Sequence, residues 1–283
     1  MKFYAMVSNI DSFLDNAKEQ YEFWKNSYRK GTKEYFNQVS EIIKIFDLKG
    51  KNKFHTENAP KYWAGDISKR NPKFIIVSLN PGLKEDHRKI TSVATDSEGW
   101  KTYMKNRSNW FSGTRFQDSK YWQKHYKFFC GMNNKIPEEP MDGDYILKNV
   151  LNLNLFPYHS NQSDNFPSKF TVKQLEVVLH HLALVFDLIE EKKPRYCFFN
   201  GKVWKTLLIK HQLIDIKFSE PKLFKKNIQG GKFSMYFGKK RRTRYVIFDK
   251  FLSRTHYYGV TDDDLSSDIP NFIKRMLGNL TLN

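Results

Sequence analysis

Pro72-Lys73-Phe74-Ile75-Ile76-Val77-Ser78-Leu79-Asn80-Pro81-Gly82 decides how the rest of the chain is read. From Phe74 to Leu79 the run is short, apolar and rich in β-branched residues, which predicts a strand buried on both faces of a parallel sheet. It stops at Asn80-Pro81-Gly82, where Pro81 fixes φ and removes a donor while Gly82 permits φ > 0. Open α/β sheets take ligands beyond the carboxyl ends of their strands, so Asn80 stands where chemistry would be placed. On the tripeptide alone an ordinary strand-ending turn is the favoured reading, and the rest of the chain reverses that preference.

Further segments repeat the pattern. Asn149-Val150-Leu151-Asn152-Leu153-Asn154-Leu155-Phe156-Pro157-Tyr158 predicts a second strand, closed by Pro157. Arg195-Tyr196-Cys197-Phe198-Phe199 predicts a third, ending at Asn200-Gly201. Residues 232–237 and 244–248 read as strands around the turn Gly238-Lys239-Lys240-Arg241-Arg242. Apolar residues at three-to-four spacing predict helices over 12–28 and 34–46, broken at Lys30-Gly31. A short aromatic helix is expected at 121–129 and a long amphipathic one at 171–191, capped by Ser168 or Thr171 and stopped before Pro194. Two more are expected at 203–211 and 269–277.

Strands alternating with helices predict an α/β fold: a three-layer α/β/α arrangement around a central, mainly parallel four-stranded sheet, plus N-terminal helices. Residues 1–58 read as a helical segment and 59–283 as the α/β domain. Residues 83–145 read as an insertion, polar and irregular over 85–116, able to close over a substrate. Polar strand ends at Asn80, Asn154 and Asn200, and a fourth near Ser253-Arg254, should then meet at one edge of the sheet.

The 283 residues carry a formal charge of +18, with a pI near 9.6, and 16% of them are aromatic. Such an excess points to a polyanionic partner, nucleic acid before anionic lipid, although a basic surface also serves solubility. No apolar run has transmembrane length and no signal-peptide core opens the chain, so the expected location is cytoplasmic, without a membrane partner. Cys130 and Cys197 stand far apart without a CxxC pair, which excludes an all-cysteine iron–sulfur cluster and argues against structural zinc. Neither a Walker A sequence nor GxGxxG follows a strand, so phosphoryl transfer lacks support.

Taken in order, these motifs resemble the uracil-DNA glycosylase superfamily. Asn80-Pro81-Gly82 is similar to its first motif in the mismatch-specific branch, and Tyr62-Trp63-Ala64-Gly65-Asp66 to the Tyr-x-Gly-Asp lead-in of some divergent members. Val150-Leu151-Asn152-Leu153-Asn154 resembles the strand that carries the base-reading Asn, and Phe199-Asn200-Gly201-Lys202 the end of the third strand. Leu252-Ser253-Arg254 matches only the second half of the last motif, so its His has no aligned counterpart. The resemblance covers roughly residues 60–270 and is carried by the order and spacing of the motifs.

It implies a monomeric, cofactor-free and metal-free DNA glycosylase, serving repair or defence against viruses with modified DNA. Asn80 would orient water, with a carboxylate available from Glu85 or Asp86, and the lost His would be replaced by His256, Arg254 or Asn154. Asn154 would read the pyrimidine edge, although it can equally cap the strand end through a side chain–backbone bond. Pro81, Gly82, Phe156 and Asn200 would complete the base pocket. Gly82 leaves room beside C5, which favours a C5-substituted pyrimidine over plain uracil. DNA contacts would come from Ser253, Arg254, a wedge at Tyr257 or Tyr258, and the basic run Lys239, Lys240, Arg241 and Arg242, a run that also suits a solvated hairpin tip. A catalytically silent module of the same fold, binding nucleic acid and releasing no base, is the alternative.

Overall fold

The computed structural model describes residues 10–81, 95–160, 169–224, 233–250, 252 and 260–279. In chain order the elements used below are α1 (Ile10–Lys30), α2 (Glu34–Ile45), β1 (Trp63–Ala64), β2 (Phe74–Ser78), α3 (Trp100–Ser108), α4 (Lys120–Met132) and β3 (Val150–Asn154). Then follow α5 (Val172–Lys192), β4 (Tyr196–Asn200), β5 (Lys222–Phe224), β6 (Phe233–Lys240), β7 (Thr243–Phe248) and α6 (Ile269–Gly278).

The fold is α/β, and its sheet is mixed and seven-stranded, in the order β1-β3-β2-β4-β7-β6-β5. The expected four-stranded, mainly parallel sheet is therefore corrected. β2, β4 and β7 run parallel, in register Phe74↔Tyr196 and Tyr196↔Arg244, whereas β6 lies antiparallel to both β7 and β5. The reason is local. Only Arg241 and Arg242 separate β6 from β7, and so short a connection allows only an antiparallel return. The expected five-residue turn at 238–242 contracts accordingly, and Gly238, Lys239 and Lys240 belong to β6. Residues 203–211 begin as a helix at Lys202–Trp204 and widen into a π-helix at Lys205–Lys210.

The chain gathers into two compact units that alternate along the sequence. The first comprises Met1–Ala64, Ser78–Ser108 and Leu153–Lys193. Its helices α1 and α2 bury the stripes Phe13, Ala17, Tyr21, Trp24 and Tyr35, Val39, Ile42, Ile43. α5 opens with a capping box, in which the Thr171 hydroxyl and the Gln174 side chain each accept from the other's backbone N–H. Residues 100–108 form α3, correcting the irregular run expected there. Tertiary packing supplies what its polar sequence lacks: Tyr103 lies against Tyr21 with the rings tilted and their centroids 4.7 Å apart, and Trp63 meets Trp100 and Tyr103 edge to face. A buried pair, Asp96 and Arg107 at 3.2 Å, lies behind these rings.

The second unit comprises Gly65–Val77, Asn109–Asn152 and Pro194–Asn283. Phe74, Ile75, Ile76 and Val77 are fully buried, as the apolar run requires of a strand covered on both faces. α4 supplies part of the cover: Phe129 stacks on Phe74 at 5.0 Å, and Phe128 meets Phe198 and Phe248 edge-on. Gly131 of α4 has no room for a side chain, since a Cβ there would overlap the Ser266 carbonyl. Cys130 and Cys197 are both free and fully buried.

Candidate functional site

Within the first unit, the backbone past β2 runs beside the backbone past β3. Leu155 N donates to Ser78 O at 2.9 Å, Phe156 N to Leu79 O at 2.8 Å, and Ser160 N to Pro81 O at 3.2 Å. This ladder brings Asn80, Pro81, Asn154 and Phe156 into one neighbourhood. Asn80 is 8% exposed. Its Nδ2 donates to Ser160 Oγ at 2.7 Å and faces the Tyr158 and Pro81 carbonyls, each at 3.3 Å. Carbonyl oxygens only accept, so they fix which end of the amide is nitrogen. Oδ1 is buried and has no partner among the described residues. Leaving a buried acceptor unpaired costs roughly 1–3 kcal/mol, so a clamped amide with an idle oxygen suits a position that receives a donor from outside, such as water.

Asn154 is spent differently. Its Nδ2 donates to Lys61 O at 2.8 Å and its backbone N to Tyr62 O at 2.9 Å, the side chain–backbone bond that a structural role would need. Phe156 is fully buried, with its ring against Phe46, Phe54 and His181.

In the second unit β4 ends at Asn200, 1% exposed, followed by Gly201 at φ 103, a left-handed value that favours glycine. Asn200 Nδ2 lies 2.9 Å from His125 Nε2 on α4, and His125 Nδ1 lies 2.7 Å from Tyr121 O. Because that carbonyl only accepts, Nδ1 carries the proton and Nε2 accepts from Asn200. Burial pushes the His125 ring down to about 4, which keeps it neutral. Tyr121 stacks on it at 4.0 Å. Asn200 Oδ1 is again buried without a partner among the described residues. His125 was invisible to sequence reading, being a lone histidine in an aromatic helix with no motif around it.

The hairpin run lies elsewhere in that unit. Lys239 pairs with Arg244 and Lys240 with Thr243, Arg241 turns at φ 55, and Arg241 and Arg242 are exposed. The tip therefore precedes β7, whereas Asn200 pairs with Phe248 at that strand's other end. Gly82, Glu85, Asp86, Ser253, Arg254, His256, Tyr257 and Tyr258 lie outside the described residues. Among the described residues no three His, Cys, Asp or Glu side chains converge to hold a metal ion, and no helix is long and apolar enough to cross a membrane. No protein-family model matches the chain, and no curated protein gives a significant match.

Proposed function

We propose that the chain is a metal-independent DNA glycosylase of the uracil-DNA glycosylase type, three-layered in architecture, acting as a cytoplasmic monomer. It would flip out a C5-substituted cytosine or uracil-type base and hydrolyse its N-glycosidic bond, leaving an abasic site. The observation that carries the reading is the idle Oδ1 of Asn80, on an amide clamped by Ser160, Tyr158 and Pro81 at the end of β2.

An amide is a poor general base, so Asn80 would only orient a water by accepting one of its hydrogens. The N1–C1′ bond breaks with its electron pair leaving on the base, the water oxygen then bonds to C1′, and the proton it loses ends on the departed base anion. This suits a dissociative transition state, in which the DNA phosphates stabilise the sugar cation. The +18 charge supports a nucleic-acid partner. The lack of a side chain at Gly82 supports a substituent at C5.

A base-release assay tests the reading. DNA panels carrying cytosine, uracil, thymine mismatches, hydroxymethylcytosine and glucosylated hydroxymethylcytosine are treated with wild type and Asn80→Ala. Alkali-labile sites in one panel, lost with Asn80→Ala, are the expected result. Efficient uracil release with no action on any C5-substituted base would remove the substrate assignment. The silent binding module gains from Asn154 and Phe156, whose groups are engaged within the protein. Tight, salt-sensitive binding without product in any panel would favour it.

A further inference from the structure

The second unit carries a basic edge at the amino ends of its parallel strands. Lys73 immediately precedes β2, Arg195 immediately precedes β4, and Arg244 is the second residue of β7. Register places Phe74, Tyr196 and Arg244 in one row across the sheet. Phe74 and Tyr196 stack at 5.9 Å and give that row an aromatic floor. The Arg195 and Arg244 guanidinium carbons lie 5.3 and 5.7 Å from the Tyr196 ring centre, and Lys73 Nζ lies 5.9 Å from that of Phe74. Lys274 of α6 belongs to the same group, with Nζ held by Gly131 O at 2.8 Å and Asn134 Oδ1 at 2.5 Å.

These cations lie close enough to feel one another's charge. Among the described residues none of Lys73, Arg195, Arg244 and Lys274 forms an ion pair with Asp or Glu. Burial, then the charge of Arg195, lowers the Lys73 ammonium, and burial, then Lys73 and Arg195, lowers that of Lys274. Like charges assembled without a counter-ion repel, and an anion relieves the repulsion. A planar guanidinium can offer two N–H groups to a forked acceptor. The hairpin cations Arg241 and Arg242 join β7 at this same end, about five strand residues, or roughly 17 Å, from the end that pairs with Asn200.

We infer that Lys73, Arg195, Arg244 and Lys274, with the hairpin tip beside them, form a phosphate-binding surface at the amino ends of β2, β4 and β7, separate from the carboxyl ends where bases would be read. The ligand chemistry is a phosphate oxyanion, from a nucleic-acid backbone or from a free polyphosphate. The inference stands whether or not the protein releases a base, because its readout is binding alone.

The test uses the full chain and a triple variant, Lys73→Gln, Arg195→Gln and Arg244→Gln, which keeps most of each side-chain stem. Binding of a fluorescent oligonucleotide is measured across salt, and thermal melting is measured with and without inorganic pyrophosphate. For a nucleic-acid source, the slope of log affinity against log salt should shrink by about 2–3 in the triple variant. For a free-polyphosphate source, pyrophosphate should raise the melting temperature of wild type and leave the triple variant unmoved. Without any anion the variant should melt no lower than wild type, because the repulsion has gone. An unchanged salt slope together with an equal pyrophosphate response in both proteins would overturn the inference. Should the triple variant fail to fold, Arg195→Gln alone, at an exposed position, should reduce the slope by about 1 or abolish the pyrophosphate shift. Failure of both would be decisive against the surface.

Discussion

Replacing His125 by Gln isolates the proton linkage of the buried His125–Asn200 pair. In the folded chain the ring accepts a proton only near pH 4, against about 6.5 when unfolded. Between those values the unfolded state binds a proton that the folded state refuses. Stability is therefore whole above about pH 6.5 and falls as the pH drops toward 4. The difference, 6.5 minus about 4, is about 2.5 pH units, or roughly 3 kcal/mol. Protonation would also place an N–H on Nε2 facing the Asn200 Nδ2 donor, now 2.9 Å away. Gln gains no proton, and its Oε1 can still accept from Asn200. Urea unfolding of both proteins at about pH 7.5 and about pH 4.5 measures the effect, because subtraction removes what the two share. That shared part includes His181, which burial pushes down to about 3. The variant should be the less stable at the higher pH, having lost the ring stacked on Tyr121, and its deficit should shrink by roughly 2–3 kcal/mol at the lower pH. A deficit independent of pH would refute the neutral, proton-resisting ring.

Asp96→Ala removes the carboxylate 3.2 Å from the buried Arg107 guanidinium and should cost up to about 3–5 kcal/mol in urea unfolding. Asn154→Ala removes the donor to Lys61 O and should cost about 1–3 kcal/mol of stability while leaving the ratio of affinities for different bases unchanged. A changed ratio would make Asn154 a base reader. Thr171→Ala opens the capping box of α5 and should lower stability by about 1 kcal/mol, read as a shift in melting temperature.

The parts of the fold that sequence revealed are those where local pattern and tertiary packing agree. The apolar run at 74–79 becomes β2, the stripes at 12–28 and 34–46 become α1 and α2, and Thr171 caps α5. Where the two diverge, the reading failed. α3 has little apolar periodicity of its own and is helical because Trp100 and Tyr103 pack on Tyr21 and Trp63. β1 is two residues long, too short to leave a period. At the candidate site, Asn80 and Asn200 were legible as strand-ending amides. The groups that orient them, Ser160 and His125, are distant in sequence and carry no local signature. The basic edge was equally hidden, because its members meet only through the register of parallel strands.

The two buried thiols give the protein a gauge of its own opening. Burial raises the Cys130 thiol to about 11 and the Cys197 thiol well above its usual range, so neither is a ready nucleophile in the folded state. Cys197 sits in β4 between β2 and β7, and Cys130 on the helix whose phenylalanines cover that strand. A thiol reagent can therefore reach either cysteine only when the packing around it opens. The rate at which the native chain is alkylated would clock the opening of the packing around the two thiols, without any probe having been introduced.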